Sequence, residues 1–360
     1  MPAAPPREHS KRDTAGTTSP IVNPHEPGRG VLLINVGTPD APTPVAVRRY
    51  LAEFLSDPFV VDIPAPLRFL LLHLFILPFR PKRSAAAYQK IWTERGSPLR
   101  FHGEDLRSKL AARTGRSVAL GMRYGNPSLR AALDELVDAE VTEVQVLPLF
   151  PQYSQSAWQT AAVASRRLAD ERNLEISFIP PFFDHPGFLA ALADGARPTL
   201  EEFEPDHLLI SFHGLPERHI RRSDRSKEGY CLTRADCCKE IVEENRDCYR
   251  AQCHATAQGL AELLDLGPDG WDMAFQSRLG RTPWIQPFTD HRITELAASG
   301  CRRLAVICPS FVADCLETLE EIQIRARESF LAAGGEDLRL IPTVNSSDAW
   351  VEVTAGMLDE

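Results

Sequence analysis

The stretch GVLLINVG, residues 30–37, is an almost continuous apolar run that ends in a glycine, and HLLISFHG, residues 207–214, repeats the pattern in the second half of the chain. A strand that is apolar on both faces is typical of a parallel sheet covered by helices. Six more β-rich runs follow, at residues 117–124, 143–150, 175–182, 272–278, 302–311 and 338–345. Helical patterns such as LRAALDELVDAE lie between the runs, so the sequence predicts an α/β fold.

The eight runs fall into two groups of four. We therefore predict two similar α/β domains, each with a four-stranded parallel sheet flanked by helices, and a cleft between them. The N-terminal domain is predicted to cover residues 29–185 and the C-terminal domain residues 186–345, followed by a helix at 346–360. Residues 1–28 are rich in proline and polar groups, which predicts a disordered tail.

The composition is that of a soluble globular protein, since 43% of the 360 residues are hydrophobic and 25% are charged. A net charge of −9 disfavours nucleic acid as a partner, because phosphate binding requires a basic surface. No G-x-G-x-x-G or P-loop motif supports nucleotide binding. The first 28 residues contain no apolar run that would make a secretory signal, so we expect a cytoplasmic protein.

One apolar run, FLLLHLFILPF at residues 69–79, is followed directly by Arg80, Lys82 and Arg83. A membrane-spanning helix needs about 20 residues, so this segment is too short to cross a bilayer. Two alternatives remain open. The run is either a buried helix, or an exposed apolar edge with a basic collar that contacts an apolar ligand or, peripherally, the inner face of a membrane.

Polar and aromatic residues collect at the carboxyl ends of the predicted strands, where parallel α/β sheets bind their ligands. The two halves contribute Asn35–Pro39, Arg123–Tyr124, Phe150–Ser154, His213–Pro216, Gln276–Arg278 and Phe311–Glu317. A single such segment would be weak evidence, but six segments from both halves predict one site between the domains.

His213 closes an apolar strand and opens a Gly-Pro turn, a position from which a neutral imidazole can accept a proton or bind a metal. Asp314, Glu317 and Glu321 follow at helical spacing, so their carboxylates are expected to share one face of a helix. Such a row suits a divalent cation or a proton relay. The alternatives are a histidine packed at a strand end and a solvated acidic helix face.

Six segments, LINVGTP, GMRYGNP, LPLFPQYS, SFHGLPER, FQSRLGRTPW and FVADCLETLEEI, together resemble the ferrochelatases, over residues 30–345. The resemblance is to protoporphyrin ferrochelatases of the type with an internal cysteine-rich insert. It implies two Rossmann-like domains with a porphyrin cleft between them. It also implies a lyase that inserts Fe²⁺ into protoporphyrin IX to give haem b, with release of two protons, in the last step of haem biosynthesis. No organic cofactor is implied.

The resemblance also implies roles for individual residues. His213 and Glu317 match the catalytic pair on opposite sides of the macrocycle, and Asp314 and Glu321 join them around the substrate iron. The positions that match porphyrin-lining residues, including two basic ones near the propionates, are Val36, Arg80, Arg83, Tyr88, Ser97, Arg123, Tyr124, Tyr153, Trp284 and Phe311. The chain has Cys315 and Phe275 where many relatives have histidine and tryptophan, which removes no proposed acid, base or ligand.

Five of the eight cysteines lie in one insert at residues 224–253, namely Cys231, Cys237, Cys238, Cys248 and Cys253. Disulfides are rare in cytosolic proteins, so this density predicts metal ligation. Four thiolates can hold a 2Fe–2S cluster or a zinc ion. The resemblance favours the cluster, because some ferrochelatases carry one, with one of the adjacent pair at 237 and 238 spare. Free thiols in a long loop are the third alternative.

Two other functions fit the same residues. One is a ferrochelatase that acts on coproporphyrin, and the other is a non-catalytic carrier of haem or porphyrin with an iron–sulfur sensor. A carrier needs neither a base nor a proton relay, so His213 and Glu317 favour the enzyme.

Overall fold

The computed structural model of the chain describes residue 1 and residues 28–226, 229–278, 280 and 282–360. Residues 2–27 of the predicted N-terminal tail lie outside this described part. Two four-stranded parallel sheets flanked by helices make up the fold, which confirms the predicted fold class.

All eight predicted strands are present, as β1 (Arg29–Thr38), β2 (Ser117–Gly125), β3 (Glu143–Pro148), β4 (Glu175–Phe178), β5 (His207–His213), β6 (Trp271–Gln276), β7 (Arg303–Ile307) and β8 (Asp337–Leu340). The first sheet has the order β2-β1-β3-β4 and the second the order β6-β5-β7-β8. The two halves therefore share one topology.

The connections are mostly helical. Within the described residues the α-helices are α1 (Pro44–Ser56), α2 (Ala65–Leu70), α3 (Arg80–Ile91), α4 (Pro98–Thr114), α5 (Leu129–Asp138), α6 (Thr160–Asp170), α7 (Pro186–Phe203), α8 (Glu217–Ser223), α9 (Tyr249–Leu263), α10 (Thr289–Ala298), α11 (Arg327–Ala332) and α12 (Asp348–Met357). Wider π-helical turns, with hydrogen bonds between residues five apart, occur at Leu71–Ile76, Gln155–Gln159 and Leu316–Ala326. Such turns are frequent at functional sites.

In each sheet the strand that begins the half, β1 or β5, is paired with two neighbours, and its pairing with one of them ends earlier than its pairing with the other. β1 stays paired with β2 as far as Thr38 but leaves β3 after Ile34. In the same way, β5 stays paired with β6 as far as His213 but leaves β7 after Ile210. An opening therefore forms beside the carboxyl end of each central strand, at the switch point where α/β sheets bind ligands.

The C-terminal helix α12 returns to the first half of the chain. Its Trp350 is fully buried, and its exposed acids pair with α4, with Asp348 2.7 Å from Lys109 and Glu352 2.7 Å from Arg113. Exposed ion pairs contribute little to stability, whereas a buried tryptophan removes a large apolar area from water. Packing of Trp350 is therefore the main attachment of α12.

The apolar run at residues 69–79 is helical but exposed. It lies on the end of α2 and on the π-helical turn Leu71–Ile76, and Phe69, Phe75 and Phe79 are 61%, 67% and 73% exposed. The buried-helix alternative is therefore wrong. Leu72 and Leu77 of this run are buried in the core and Ile76 packs partly against it, whereas most of the other side chains lie on the outer face.

Candidate active site

His213 is the last residue of β5, and hydrogen bonds hold both its backbone and its ring. Its N–H donates to Oγ of Ser310 (3.0 Å), and its carbonyl accepts the hydroxyl of Tyr249 (2.8 Å). The ring Nδ1 lies 2.7 Å from the carbonyl oxygen of Gly214, which can only accept, so Nδ1 carries the proton. Nε2 therefore keeps a lone pair for a proton or a metal.

The acidic segment after β7 is a π-helix rather than the predicted α-helix, and it begins at Leu316. Glu317 and Glu321 lie four residues apart on it, which is close to one π-helical turn. The amide of Gln276 donates to the backbone oxygen of Glu317 (2.8 Å) and so anchors the first turn to the end of β6. Two of the three predicted carboxylates therefore share one stretch of helix.

Asp314 lies before this helix, so the prediction of a common helix face is wrong for this residue. Its Oδ1 accepts the hydroxyl of Thr318 (2.9 Å), and its Oδ2 accepts the amide of Asn345 (2.8 Å). Burial lowers the pKa of nearby His102, and the charge of Asp314 acts in the opposite direction. Both carboxylate oxygens already have protein partners, and contact of Asp314 with iron stays a prediction.

Glu321 is held by Ser277 at the end of β6. The serine hydroxyl donates to Oε2 (2.5 Å) and its N–H donates to Oε1 (2.9 Å). Burial is the largest influence on the pKa of Glu321 and raises it, and the charge of Glu317 raises it further. The hydrogen bond from Ser277 and the charges of Arg325 and His213 lower this pKa, but the net effect is a rise. The net rise makes Glu321 easier to protonate than an exposed carboxylate, which suits a proton relay.

Glu317 lies among buried phenols. Burial raises the pKa of Tyr50 and of Tyr88 well above the ordinary value, and the charge of Glu317 adds to both shifts. The hydroxyl of Tyr50 donates to the carbonyl of Gly37 (3.0 Å). Burial lowers the pKa of Arg80, and Glu317 opposes that shift. Tyr50 was not predicted, because a tyrosine on the buried face of α1 looks like any core residue in the sequence.

The end of β1 forms a wall beside this group. Gly37 has φ +113°, and a Cβ at this position would lie 1.8 Å from the carbonyl oxygen of Tyr124, so only glycine fits. The hydroxyls of Thr38 and Ser97 are 2.8 Å apart and both are buried. Ser97 therefore stands at the start of α4, directly against the end of β1.

Val36 and Phe311 bring the ends of the two sheets together. Both pack against one small cluster that includes Leu99 from α4 and Cys315 from the loop before the π-helix. The ring of Phe311 also lies edge-on to the ring of His213, with centroids 6.2 Å apart. The end of the first sheet and the ring of His213 thus share the neighbour Phe311.

Arg123 and Tyr124, at the end of β2, belong to a network around the buried Asp57. One oxygen of Asp57 accepts hydrogen bonds from Arg123 (2.5 Å), the hydroxyl of Tyr124 (2.8 Å) and the hydroxyl of Thr160 (2.7 Å). A cavity of about 380 Å³ opens beside this network, with Phe59 in its wall. Asp57 was not predicted, since its role depends on three partners that are distant in sequence.

The remaining predicted porphyrin-lining residues lie in different surroundings. The N–H of Tyr153 donates to Oε1 of Gln252 on α9 (2.6 Å). Trp284 forms an isolated bridge with Pro216, in the turn that follows His213. Arg83 is exposed on α3. Of these three residues, only Tyr153 belongs to a segment that the sequence places at a strand end, whereas Trp284 and Arg83 were identified through the resemblance to the ferrochelatases.

The five cysteines of the insert are buried and belong to the same apolar cluster. The sulfurs of Cys237 and Cys238 are 3.8 Å apart, and the guanidinium of Arg250 donates to the sulfur of Cys238 (3.1 Å). Contact with Cys231, together with burial, raises the pKa of Cys248 to about 12. The raised pKa keeps the thiol of Cys248 protonated unless a metal displaces its proton.

The arrangement of these thiols does not by itself define a metal site. In the part of the chain that the structure describes, no group of three or more His, Cys, Asp or Glu side chains is placed to hold one metal ion. A zinc ion needs four ligands around one centre, whereas a 2Fe–2S cluster spreads its four cysteines over two irons.

Known proteins match almost the whole chain. The sequence model of the family described as Ferrochelatase matches residues 28–360. The ferrochelatase of Coxiella burnetii (strain Dugway 5J108-111) is 48% identical over 330 residues, which cover 91% of this chain and 92% of that protein. The ferrochelatase of Azotobacter vinelandii (strain DJ / ATCC BAA-1303) is 48% identical over 329 residues, which cover 90% and 96%.

A more distant likeness exists among solved structures. SirB from Bacillus subtilis with Fe3+ aligns with a TM-score of 0.49 at 12% identity, over 92% of this chain and 94% of that chain, which is too distant to support a conclusion. The family match and the relatives at 48% identity carry the assignment. They show that the chain belongs to the ferrochelatase family.

Proposed function

We propose that this chain inserts ferrous iron into protoporphyrin IX to give haem b, with His213 as the base. The ferrochelatase family supports iron insertion into a porphyrin as the reaction. The observation that carries the assignment of the base is the hydrogen bond from Nδ1 of His213 to the carbonyl of Gly214, which leaves Nε2 free. Glu321 lies close enough to the ring of His213 for the charge of that ring to lower the pKa of Glu321.

The reaction must remove two pyrrole protons and expose the nitrogen lone pairs of a planar macrocycle. A pocket that binds a bent porphyrin favours the transition state over the flat substrate. His213 accepts a pyrrole proton at Nε2, while Glu317 and Glu321 relay protons or supply iron from the other face. General-base help of this kind contributes about 10²–10⁴-fold in rate.

Two arginines of α3 support protoporphyrin IX as the substrate. Within the described residues, neither Arg80 nor Arg83 forms a hydrogen bond or an ion pair. Half-buried Arg80 lies near Glu317, and exposed Arg83 is one turn further along the helix. Protoporphyrin IX carries two propionates and coproporphyrin four, so two available guanidinium groups fit the smaller number.

The proposal is tested by mixing the protein with porphyrin and Fe²⁺ without oxygen. Wild type should convert many equivalents of protoporphyrin IX, seen as loss of the free-base absorption. His213→Ala should reduce the rate by at least about 100-fold, because the base is lost, while porphyrin binding is kept. His291→Ala, at an exposed position, is the matched control and should turn over normally.

The alternatives give different outcomes in the same assay. Stoichiometric binding without turnover would identify a carrier. Faster turnover of coproporphyrin than of protoporphyrin IX would overturn the choice of substrate but not the reaction. Near-normal turnover by His213→Ala would remove the assignment of the base.

We also propose that Cys231, Cys238, Cys248 and Cys253 hold a 2Fe–2S cluster, with Cys237 spare. Cys238 interacts with Cys248 and with the guanidinium of Arg250, whereas the contact of Cys237 is with its sequence neighbour. A nearby cation offsets the negative charge that thiolate ligands would bring. The donor set therefore fits a group that needs four thiolates.

Analysis of metal and sulfide content tests this part of the proposal. Protein prepared without oxygen should contain iron and acid-labile sulfide in near-equal amounts beyond any haem. Cys248→Ser should bleach the protein, and Cys301→Ser, outside the insert, should not. Stoichiometric zinc in a colourless protein would replace the cluster with a zinc site.

We further propose that the exposed apolar residues Leu67, Phe69, Leu70, Leu71, Leu74, Phe75 and Phe79, here called the apolar edge, contact a membrane surface from the cytoplasmic side. Contiguous exposed apolar surface marks an interaction site. Arg80, Lys82 and Arg83 directly follow the edge and suit anionic headgroups. In the described residues no helix is long and apolar enough to span a bilayer, so the proposed contact is peripheral.

Liposome flotation tests this contact. Wild type should float in part with vesicles that contain anionic lipid, and the double change Leu74→Ser and Phe75→Ser should weaken flotation. Val163→Ser, at an exposed apolar position outside the edge, is the control. Equal flotation of all three proteins, or none at any lipid composition, would contradict the proposal.

A further inference from the structure

Gln276, the last residue of β6, lies opposite His213 at the end of β5. Its main-chain carbonyl accepts the N–H of Gly214 (2.7 Å). A Cβ at position 214 would lie 2.8 Å from this oxygen, so the close approach of the two strands requires glycine. The carbonyl of Gly214 in turn binds the imidazole of His213. The main chain of Gln276 therefore holds the residue that orients the base.

The side chain of Gln276 reaches the acidic partner of the base. Its amide lies 2.8 Å from the main-chain carbonyl oxygen of Glu317. A carbonyl oxygen can only accept, so the NH₂ end of the amide must face the π-helix. Oε1 then points toward Ser211 on β5, whose hydroxyl lies 2.7 Å away. One residue thus binds the turn of His213 with its main chain and the turn of Glu317 with its side chain.

Two hydroxyls fix the orientation of this amide. Because Oε1 of Gln276 can only accept, the hydroxyl of Ser211 must donate to it. The hydroxyl of Thr289, 2.8 Å from that of Ser211, must therefore donate to Ser211. All three side chains are buried, and the hydrogen bonds run in one direction, from Thr289 to Glu317. A buried polar network with every partner in place favours a single geometry, because any other leaves a group unpaired.

The next residue of the chain has a different task. Ser277 binds the carboxylate of Glu321, whereas Gln276 binds the main chain of the π-helix and leaves the carboxylate of Glu317 free to act. Gln276 therefore places the helix itself relative to the turn of His213.

We propose that Gln276 is a positioning residue that sets the distance between His213 and Glu317, and that Ser211 and Thr289 lock its amide for this purpose. The proposal rests on the proposed roles of His213 as the base and of Glu317 in the relay. Gln276 acts through the main chain of both turns and takes no part in the proton transfer itself.

Gln276→Met in the full-length protein tests the proposal, because it keeps the length of the side chain and removes the amide. We expect kcat to fall about 3- to 10-fold, as for the loss of one hydrogen bond, with the KM for porphyrin unchanged. Hydrogen exchange of the main-chain amides at residues 316–321 should become faster, because the first turn of the π-helix loses its anchor. Gln145→Met, the same change at a half-buried glutamine in the middle of β3, should alter neither quantity.

A second variant separates positioning from a general disturbance of the fold. Ser211→Ala keeps the amide and removes the hydroxyl that orients it, so kcat should fall less, about 2- to 3-fold. Added to Gln276→Met, the same change should lower kcat no further, because Ser211 acts through the amide.

Each part of the proposal has an outcome that would overturn it. A wild-type kcat in Gln276→Met, or a KM that changes as much as kcat, would overturn the positioning role. Independent effects of the two substitutions would overturn the role of Ser211. Wild type that inserts no iron would overturn the proposed function instead, and hydrogen exchange would still report whether Gln276 holds the π-helix.

Discussion

Replacing Ser277 should slow iron insertion by releasing Glu321. Two hydrogen bonds hold this carboxylate, one from the serine hydroxyl (2.5 Å) and one from its N–H (2.9 Å). A hydrogen bond to a charged group contributes about 1.5–3 kcal/mol. Ser277→Ala removes the first bond and keeps the second, so kcat should fall about 10- to 100-fold, with the KM for porphyrin nearly unchanged.

The backbone of Ser277 allows a matched comparison. Its φ of +68° lies in the left-handed region, which costs a residue with a side chain about 1–2 kcal/mol and costs glycine little. Ser277→Gly loses the same hydroxyl as Ser277→Ala but relieves this strain. The two variants should have equal kcat, and the glycine variant should be at least as stable in urea.

The pH dependence gives an independent measure of the same contact. Burial raises the pKa of Glu321, and the hydrogen bond from Ser277 opposes that shift. Without the hydroxyl the carboxyl should stay protonated to a higher pH, so the acid limb of kcat should move to higher pH. Anaerobic insertion assays across the pH range measure this shift. A wild-type rate and pH profile in Ser277→Ala, or unequal rates in the alanine and glycine variants, would refute the reasoning.

Three further predictions concern stability and the insert. Burial lowers the pKa of His254 from 6.5 to about 4, so His254 is protonated in the unfolded state at a higher pH than in the folded state. The folded state should therefore lose about 3 kcal/mol of stability as the pH falls from 6.5 to 4. Urea unfolding at several pH values measures this loss, which His254→Leu should not show. Asp57→Asn should lower the free energy of unfolding by about 3 kcal/mol, since it leaves Arg123 without its buried partner. Cys237→Ser should keep the iron and sulfide content that Cys238→Ser loses.

The eight strands could be predicted from sequence because each is a short apolar run that is buried on both faces. Their ends were harder to place, and the predicted run 302–311 stops as a strand at Ile307. Cys308 and Phe311 lie beyond the end of the strand, where Cys308 is buried in the core and Phe311 contacts the ring of His213. Apolar character alone does not distinguish a strand from a wall of a pocket.

The candidate site was only partly accessible to sequence reasoning. His213 and Glu317 stand in recognisable motifs, but Tyr50 and Asp57 act through contacts with residues far away in the chain. The π-helix was missed because the spacing of its acids also fits an α-helix. The sequence places Ser277 at a strand end, but it does not predict the left-handed backbone conformation of this residue, because that conformation is expected at glycine. Its contact with Glu321 therefore could not be predicted.

The π-helix Leu316–Ala326 belongs to the second half of the chain but packs on α3 of the first, with Glu320 3.4 Å from Lys90. Within one turn, Glu317 faces the phenols of the first half and Glu321 is bound to Ser277 of the second. A change in the angle between the halves would therefore change the distance between the phenols near Glu317 and Ser277, which binds Glu321. Under the proposed roles of Glu317 and Glu321, porphyrin that closes the cleft would act directly on the proton relay, because both carboxylates stand on a helix that contacts both halves.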